Sequence, residues 1–372
     1  MNIAIFSPSQ NPYSETFIQA HKNFLPGNIF YYYGHRDNIK LEKHPKLSSF
    51  SSNLYLKLKR KLLGLSGSNL WIEPIVHSLK KNDIDVVLVE YGTQAQQLLA
   101  VYDKVKIPIV VHFHGYDASI KKVVASHNQY KDVFARASYI MVVSKKMREM
   151  IIDMGCPKDK VVLNTYGPQP GFEKIKPEFT KKQFVGVGRF TDKKAPYYTI
   201  LAFKEVVGHY PDVKLLLAGD GVLLNTCKNL VNHLGLKENI HFLGVITPEE
   251  YQGILKESLA FVQHSITADN GDMEGTPLAV LEASAAGLPV ISTLHAGIPD
   301  VIKHKETGLL CEEHDVHAMA ENMMSLLKHN SLAKSLGNSG KNFVLKNFSI
   351  EQHITKLDET LILAVKNHNS SN

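Results

Sequence analysis

The sequence predicts an α/β chain of two doubly wound domains, each a mainly parallel sheet clothed by helices, facing each other across a cleft. Three observations carry that expectation. The 372 residues fit two domains at roughly 100–200 residues each. Short apolar runs rich in Val, Ile and aromatics alternate with longer segments of helical period, the pattern of parallel strands joined by crossover helices. The stretch from Gly167 to Gln183 interrupts that alternation with three prolines, two glycines and scattered charges, and reads as a linker. The domains are therefore expected at 1–170 and 184–350, with the linker at 171–183 and a C-terminal helix and tail at 351–372 packing back on the first domain.

Taken in order, the first set of expected strands is Ile3 to Ser7, Ile29 to Tyr33, Val86 to Tyr91, Pro108 to His114, Tyr139 to Ser144 and Val161 to Tyr166. The second is Phe184 to Gly188, Val213 to Gly219, Ile240 to Gly244, Leu259 to His264, Pro289 to Thr293 and Gly308 to Cys311. Near-continuous apolar runs such as Leu215 to Ala218 imply burial on both faces of a sheet. Strand carboxyl ends in such folds are where ligands bind.

Composition narrows the class. Hydrophobic residues make up 44% of the chain and charged ones 21%, close to the soluble globular average, which excludes disorder, collagen and coiled coil as the main architecture. The three cysteines, Cys156, Cys227 and Cys311, have no metal-ligand spacing and fit a reducing compartment. No secretory signal precedes the first strand, and the apolar runs fall well short of the roughly 20 residues that cross a bilayer. A cytoplasmic protein, peripheral on the inner face of the membrane, is expected.

The net charge of +6 is partly local. Leu54, Leu58, Leu62 and Leu65 follow helical spacing beside Lys57, Lys59, Arg60 and Lys61, the pattern of a helix lying on anionic lipid. A surface helix with solvated lysines fits the same pattern equally. No basic patch with interleaved aromatics points to nucleic acid.

The richest stretch runs from Asn270 to Pro289, NGDMEGTPLAVLEASAAGLP. Thr276 is expected to cap a helix with Pro277 at its first position, and Gly287 to end it. Glu274 then lies in the loop before the helix and Glu282 five residues inside it, about 7.5 Å along the axis from its start at 1.5 Å per residue. A helix start of this kind favours a phosphate, and Gly275 lets the backbone approach it. Glu282 projects from a face that also carries Leu278 and Ala285 or Ala286, where a ligand diol would supply hydrogen-bond donors and a nearby Lys or Arg would serve as well.

A second constellation ends the strand Phe184 to Gly188. Arg189 and Lys194 place two cations at a strand's carboxyl end, suited to neutralising a diphosphate. The Gly186-Val-Gly188 and Gly219-Asp-Gly221 pairs lack the third glycine of a dinucleotide fingerprint. In the first domain, His112 and His114 share a strand face, with Gly115 and Asp117 following. No third metal ligand is evident beside the two histidines, and Asp83 and Asp85 read as strand-entry charges.

These motifs together resemble the GT4 glycosyltransferases, retaining enzymes of the GT-B fold with two Rossmann-like domains. The most specific element is the pair of glutamates separated by seven intervening residues, Glu274 and Glu282. The order SETF, HGYD, VGRF with KK, LAGDG, FLG, GIPDVI and ETGLL is also similar to that family. The resemblance implies that Glu274 holds the donor-sugar hydroxyls, that Glu282 binds ribose, and that Arg189 and Lys194 bind the diphosphate beside Gly188, Gly275, Thr276 and Pro277. Leu243 falls in the base-binding stretch, His114 lies near the sugar on the opposite wall, and Ser14, Glu15, Thr16 and Asp117 approach the phosphates or acceptor. It further implies no cofactor and no metal, with a nucleotide-diphosphate sugar, a UDP-sugar ahead of a GDP-sugar, as co-substrate. SETF and NGDMEGTP look most like enzymes that build bacterial exopolysaccharide, capsule or lipopolysaccharide on lipid-linked acceptors at an anionic membrane surface. A non-catalytic nucleotide-sugar-binding partner and a nucleotide-sugar epimerase are the alternatives. Two departures stand out: Ala195 replaces a usual glycine, and PSQNPYSETF lacks the glycine-rich form of many relatives.

Overall fold

A computed structural model describes residues 1–10, 15–44, 47 and 71–371. The chain divides into two compact units, one formed by 1–143, 148–164 and 354–372, the other by 144–147 and 165–353. Ser14 and the Leu54 to Leu65 segment, with Lys57, Lys59, Arg60 and Lys61, lie outside the described residues.

The first unit is built on β1 (Asn2–Ser7), β2 (Asn28–Tyr33), β3 (Lys40–Leu41), β4 (Val86–Glu90), β5 (Ile109–His112), β6 (Tyr139–Val142) and β7 (Val161–Leu163). They lie side by side in the order β3-β2-β1-β4-β5-β6-β7. Every pairing is parallel except β2 with β3. Ile3, Ala4, Ile5 and Phe6 are buried, as are Val86 to Val89. Removing such Val, Ile and Leu side chains from water on both sheet faces contributes about 1.5–3 kcal/mol each. The sheet order reverses between β1 and β4, the switch point where doubly wound sheets open a crevice beyond the strand ends.

The second unit repeats the scheme with β8 (Gln183–Val187), β9 (Lys214–Ala218), β10 (Ile240–Gly244), β11 (Ala260–Val262), β12 (Val290–Thr293) and β13 (Gly308–Cys311). Its order is β10-β9-β8-β11-β12-β13, all parallel, with the reversal between β8 and β11. Phe184, Phe203, Leu215 and Ile291 are among the side chains of its core.

Every strand expected from the sequence is present, and the edge strand β3 is the addition. The linker expected at 171–183 is not one. Phe172 is buried and meets the Tyr251 ring at 5.4 Å, and Phe179 joins the core of the second unit. Asn330 donates to the Phe179 carbonyl (2.7 Å) and Lys341 to that of Ile175 (2.9 Å), so the prolines shape a strap that covers the unit. The units exchange chain at 164/165 instead. The last helix, Ile350–Ser371, joins the first unit from residue 354. Its Leu357, Leu361 and Ala364 form a buried stripe at helical spacing, and Asn367 donates to the Tyr139 hydroxyl at 2.9 Å. Among the described residues no helix is long and apolar enough to cross a membrane.

Candidate active site

At the β8/β11 switch point the second sheet forms a pocket lined in part by Gly188, Arg189, Lys194, Pro196 and Gln263. Arg189 follows β8 and is exposed. Lys194 comes from the turn that starts the helix Pro196–His209, and its stem lies over Gly188. A Cβ at position 188 would sit 2.9 Å from Lys194 Cδ and 3.0 Å from its Cε, so glycine there makes room for the lysine. Gly219, at φ +131°, packs so closely that its Cβ would lie 2.0 Å from the Gly188 carbonyl oxygen. The two glycine motifs are thus one backbone-on-backbone contact at the strand ends. Ala195, between Lys194 and Pro196, takes φ +34°, ψ +52°. It adopts the left-handed bend that a glycine would take freely, so the turn is kept despite the departure in sequence.

Lys194 Nζ lies 3.0 Å from Glu274 Oε1 and donates to Gln263 Oε1 at 3.4 Å. Glu274 is buried. Burial opposes its charge, but the Lys194 and Lys193 ammonium groups prevail and hold the carboxyl down at about 2. Glu274 is therefore an ionised hydrogen-bond acceptor at neutral pH. Lys193 is buried and pairs with Asp272 Oδ1 at 2.9 Å while also donating to the Met273 carbonyl. It holds the loop that presents Glu274.

The helix after that loop is Leu278–Ala286, with Pro277 at the N-cap and ψ 119°. It starts one residue later than expected, leaving Thr276 and Gly275 in the loop. Proline pushes the residue before it out of helical geometry, and Pro277 itself is extended. Gly287 ends the helix at φ +91° as expected. Glu282 is half-buried on this helix. Burial pushes its carboxyl up to about 7 against a hydrogen bond from the Gln169 backbone. Leu243 is partly exposed at the end of β10, beside a register shift at Phe242 and Gly244.

At the β1/β4 switch point of the first unit, Glu15 precedes the helix Thr16–Phe24, and its Oε1 accepts from the Tyr91 hydroxyl at 2.7 Å. Tyr91 stands at φ +73°, a strained position directly after β4. His114 is buried between Phe17 and Tyr91, with ring centroids at 4.6 and 4.4 Å. Its Nε2 lies 3.0 Å from Glu90 Oε2. Asp117, expected to approach the acceptor, is instead buried. Its carboxylate accepts from Gly92 N (2.6 Å) and His114 N (2.8 Å), and burial pushes it up to about 6. Asp117 ties two backbone segments together.

The third partner that the two histidines lacked in sequence is Glu90, from the end of β4, joined by His21. Glu90 Oε1 is 2.7 Å from His21 Nδ1, and all four residues are buried. Burial opposes the Glu90 charge, yet the surrounding histidines hold it well below the carboxylate range. His21, Glu90 and His112 each offer a ligand atom within 4.8 Å of the others, the spacing of a possible cation site. The hydrogen bonds to Glu90 account for the same geometry. Asp85, as read from sequence, is a strand-entry charge, accepting from the Asn2 amide at 2.7 Å.

Comparison with known proteins places this geometry. The family model described as "Glycosyl transferases group 1" matches residues 171–343, and that described as "Glycosyltransferase Family 4" matches 33–164. The amylovoran biosynthesis glycosyltransferase AmsK of Erwinia amylovora is 30% identical over 77% of this chain and 70% of its own length. The putative colanic acid biosynthesis glycosyltransferase WcaL of Escherichia coli is 29% identical over 58% of this chain; the match spans 54%, about half, of WcaL. Among solved structures, that of Anabaena HepE in complex with UDP-glucose superposes with a TM-score of 0.77 at 14% identity, covering 97% of this chain and 99% of HepE. That likeness shows the GT-B fold. With both halves matched by family models and AmsK 30% identical over 77% of this chain, the chain belongs to the family 4 glycosyltransferases.

Proposed function

We propose that this protein is a retaining, metal-independent hexosyltransferase that moves a sugar from a nucleotide diphosphate, UDP ahead of GDP, to a lipid-linked glycan in bacterial surface polysaccharide synthesis. The observation that carries the reading is the Lys194–Glu274 pair at the β8/β11 switch point, next to exposed Arg189. Arg189 and Lys194 bind the diphosphate and stabilise the charge that grows on it as the bond to the sugar breaks. Glu274, held ionised, accepts hydrogen bonds from the sugar hydroxyls, and Glu282 accepts from the ribose diol. The bond from the anomeric carbon to the phosphate oxygen breaks as the bond to the acceptor oxygen forms on the same face, and the acceptor proton passes to the departing phosphate. Cationic side chains supply the electrostatic work that a metal performs elsewhere. The first unit binds the acceptor around Glu15, Thr16 and His114.

The role in polysaccharide synthesis is supported by the relatives in amylovoran and colanic acid biosynthesis, and the uridine nucleotide by the UDP-glucose in the HepE crystal. The test is nucleotide release from a panel of UDP- and GDP-sugars with EDTA present, with and without a membrane lipid extract. Release of one nucleotide that rises with the extract is expected. Sugar conversion without acceptor would identify an epimerase, and nucleotide binding without turnover would identify a non-catalytic partner.

A further inference from the structure

We propose that His295 and Glu313 are positioning residues that fix the Glu274 carboxylate through its backbone, an inference that rests on the transferase reading above. His295 follows β12 and is buried. Its Nε2 accepts from the Glu274 backbone N–H at 3.1 Å, and its Nδ1 lies 2.6 Å from Glu313 Oε1. A ring nitrogen can accept only when it carries no proton, so the proton is on Nδ1 and is donated to Glu313. The two partners fix the neutral tautomer between them.

Glu313 does more than hold the ring. Its other oxygen, Oε2, accepts from the Thr267 N–H at 2.8 Å. One carboxylate thus holds Thr267 directly and Glu274 through the imidazole, at the two ends of the loop 267–274. Inside the loop, Ala268 donates to the Asp272 carbonyl (3.0 Å) and Gly271 to that of Ala268 (2.8 Å). The backbone after His295 is shaped to the same end. Ala296 takes φ +45°, which a side chain resists. A Cβ on Gly297 would meet the Gly275 carbonyl oxygen at 1.9 Å, so the turn lies flat against the residue after Glu274. The loop has no helix or strand of its own, and its one side chain aimed at Lys194 depends on these supports for its place.

His295 is held by Glu274 on one side and by Glu313 on the other, with Thr267 behind Glu313, and all of these residues belong to the second unit. Among the described residues the hydrogen bonds of His295 go to Glu274 and Glu313 and not to Arg189 or Glu282, so its loss is expected to spare nucleotide binding. Geometry chooses the variants. His295→Asn keeps a donor near Nδ1 and removes the acceptor at Nε2, whereas His295→Gln carries an oxygen out towards the Nε2 position.

Steady-state kinetics on the donor, with nucleotide affinity and thermal unfolding measured alongside, test the proposal. For His295→Asn, kcat falls by about a hundredfold, the effect of a displacement near 1 Å, while donor KM and nucleotide affinity stay within about threefold. His295→Gln recovers part of kcat, and Glu313→Leu matches His295→Asn. Folded His295→Asn with wild-type kcat overturns the proposal, as does equal loss in Asn and Gln variants accompanied by loss of nucleotide affinity. Glu274→Gln separates the two claims. If it is inactive while His295→Asn is active, only the positioning role fails; if it is active, the role of Glu274 fails first.

Discussion

Lys194 and Lys193 hold the Glu274 carboxylate charged, and their two ammonium groups offset the cost of burying it. With its value lowered to about 2 from the usual 4.5, Glu274 contributes stability above pH 4.5 that is lost as pH falls through about 2. Replacing Lys194 with Met is expected to let burial dominate and raise the Glu274 carboxyl. The acid limb of the rate profile should then move up by at least about one pH unit, with donor binding weakened; an unmoved limb would contradict the pairing. Glu282 runs the other way. Its carboxyl titrates at about 7, and ligand hydroxyls prefer the ionised form. Affinity for a nucleotide sugar, whose diphosphate does not titrate in this range, should fall as pH drops from 8 to 6. The slope approaches about tenfold per unit at most, and Glu282→Gln should flatten it in a calorimetric titration. Glu274 and Glu282 in one short motif, and Arg189 and Lys194 in another, stood out as candidates in the sequence because each pair's spacing is local. His295, Glu313, Glu90 and His21 did not, because they reach their partners from distant strands and loops and, for His21, from the helix Thr16–Phe24.

At the scale of elements, glycines decide where backbones may touch. Gly297 admits the Gly275 carbonyl, and Gly188 admits the Lys194 stem. Gly297→Ala should cost about 1–3 kcal/mol by overpacking and lower turnover more than nucleotide affinity. Thermal unfolding and a KM against kcat comparison would show it, and an alanine tolerated on both counts would contradict the close approach. The apolar strands announced themselves because burial on both sheet faces leaves little but Val, Ile, Leu and Phe. The two-residue β3 has no such signature, since an edge pairing of Lys40–Leu41 needs no apolar run. The shift of a helix start from Pro277 to Leu278 turns on one dihedral angle that composition does not record.

At the scale of the molecule, the error over residues 171–183 is instructive. Prolines and charges made the segment look like a tether, yet Phe172 and Phe179 place two aromatic side chains inside the second unit. Phe179→Ala should therefore destabilise by about 3–5 kcal/mol, read as a lowered unfolding midpoint, where a true linker would show almost none. Both sheets reverse order at a point where charged and aromatic side chains collect, β1/β4 around Glu15, Tyr91 and His114, and β8/β11 around Arg189, Lys194 and Glu274. In the proposed function, the second of these points is a donor site at which Glu274 serves transfer. The most direct measurement is nucleotide release from UDP-sugars in the presence of EDTA and lipid extract, by the wild type and by Glu274→Gln at equal folded concentration. Acceptor-stimulated release by the wild type and a loss of at least about a hundredfold in the variant are expected. Comparable rates from the two proteins would contradict that role of Glu274.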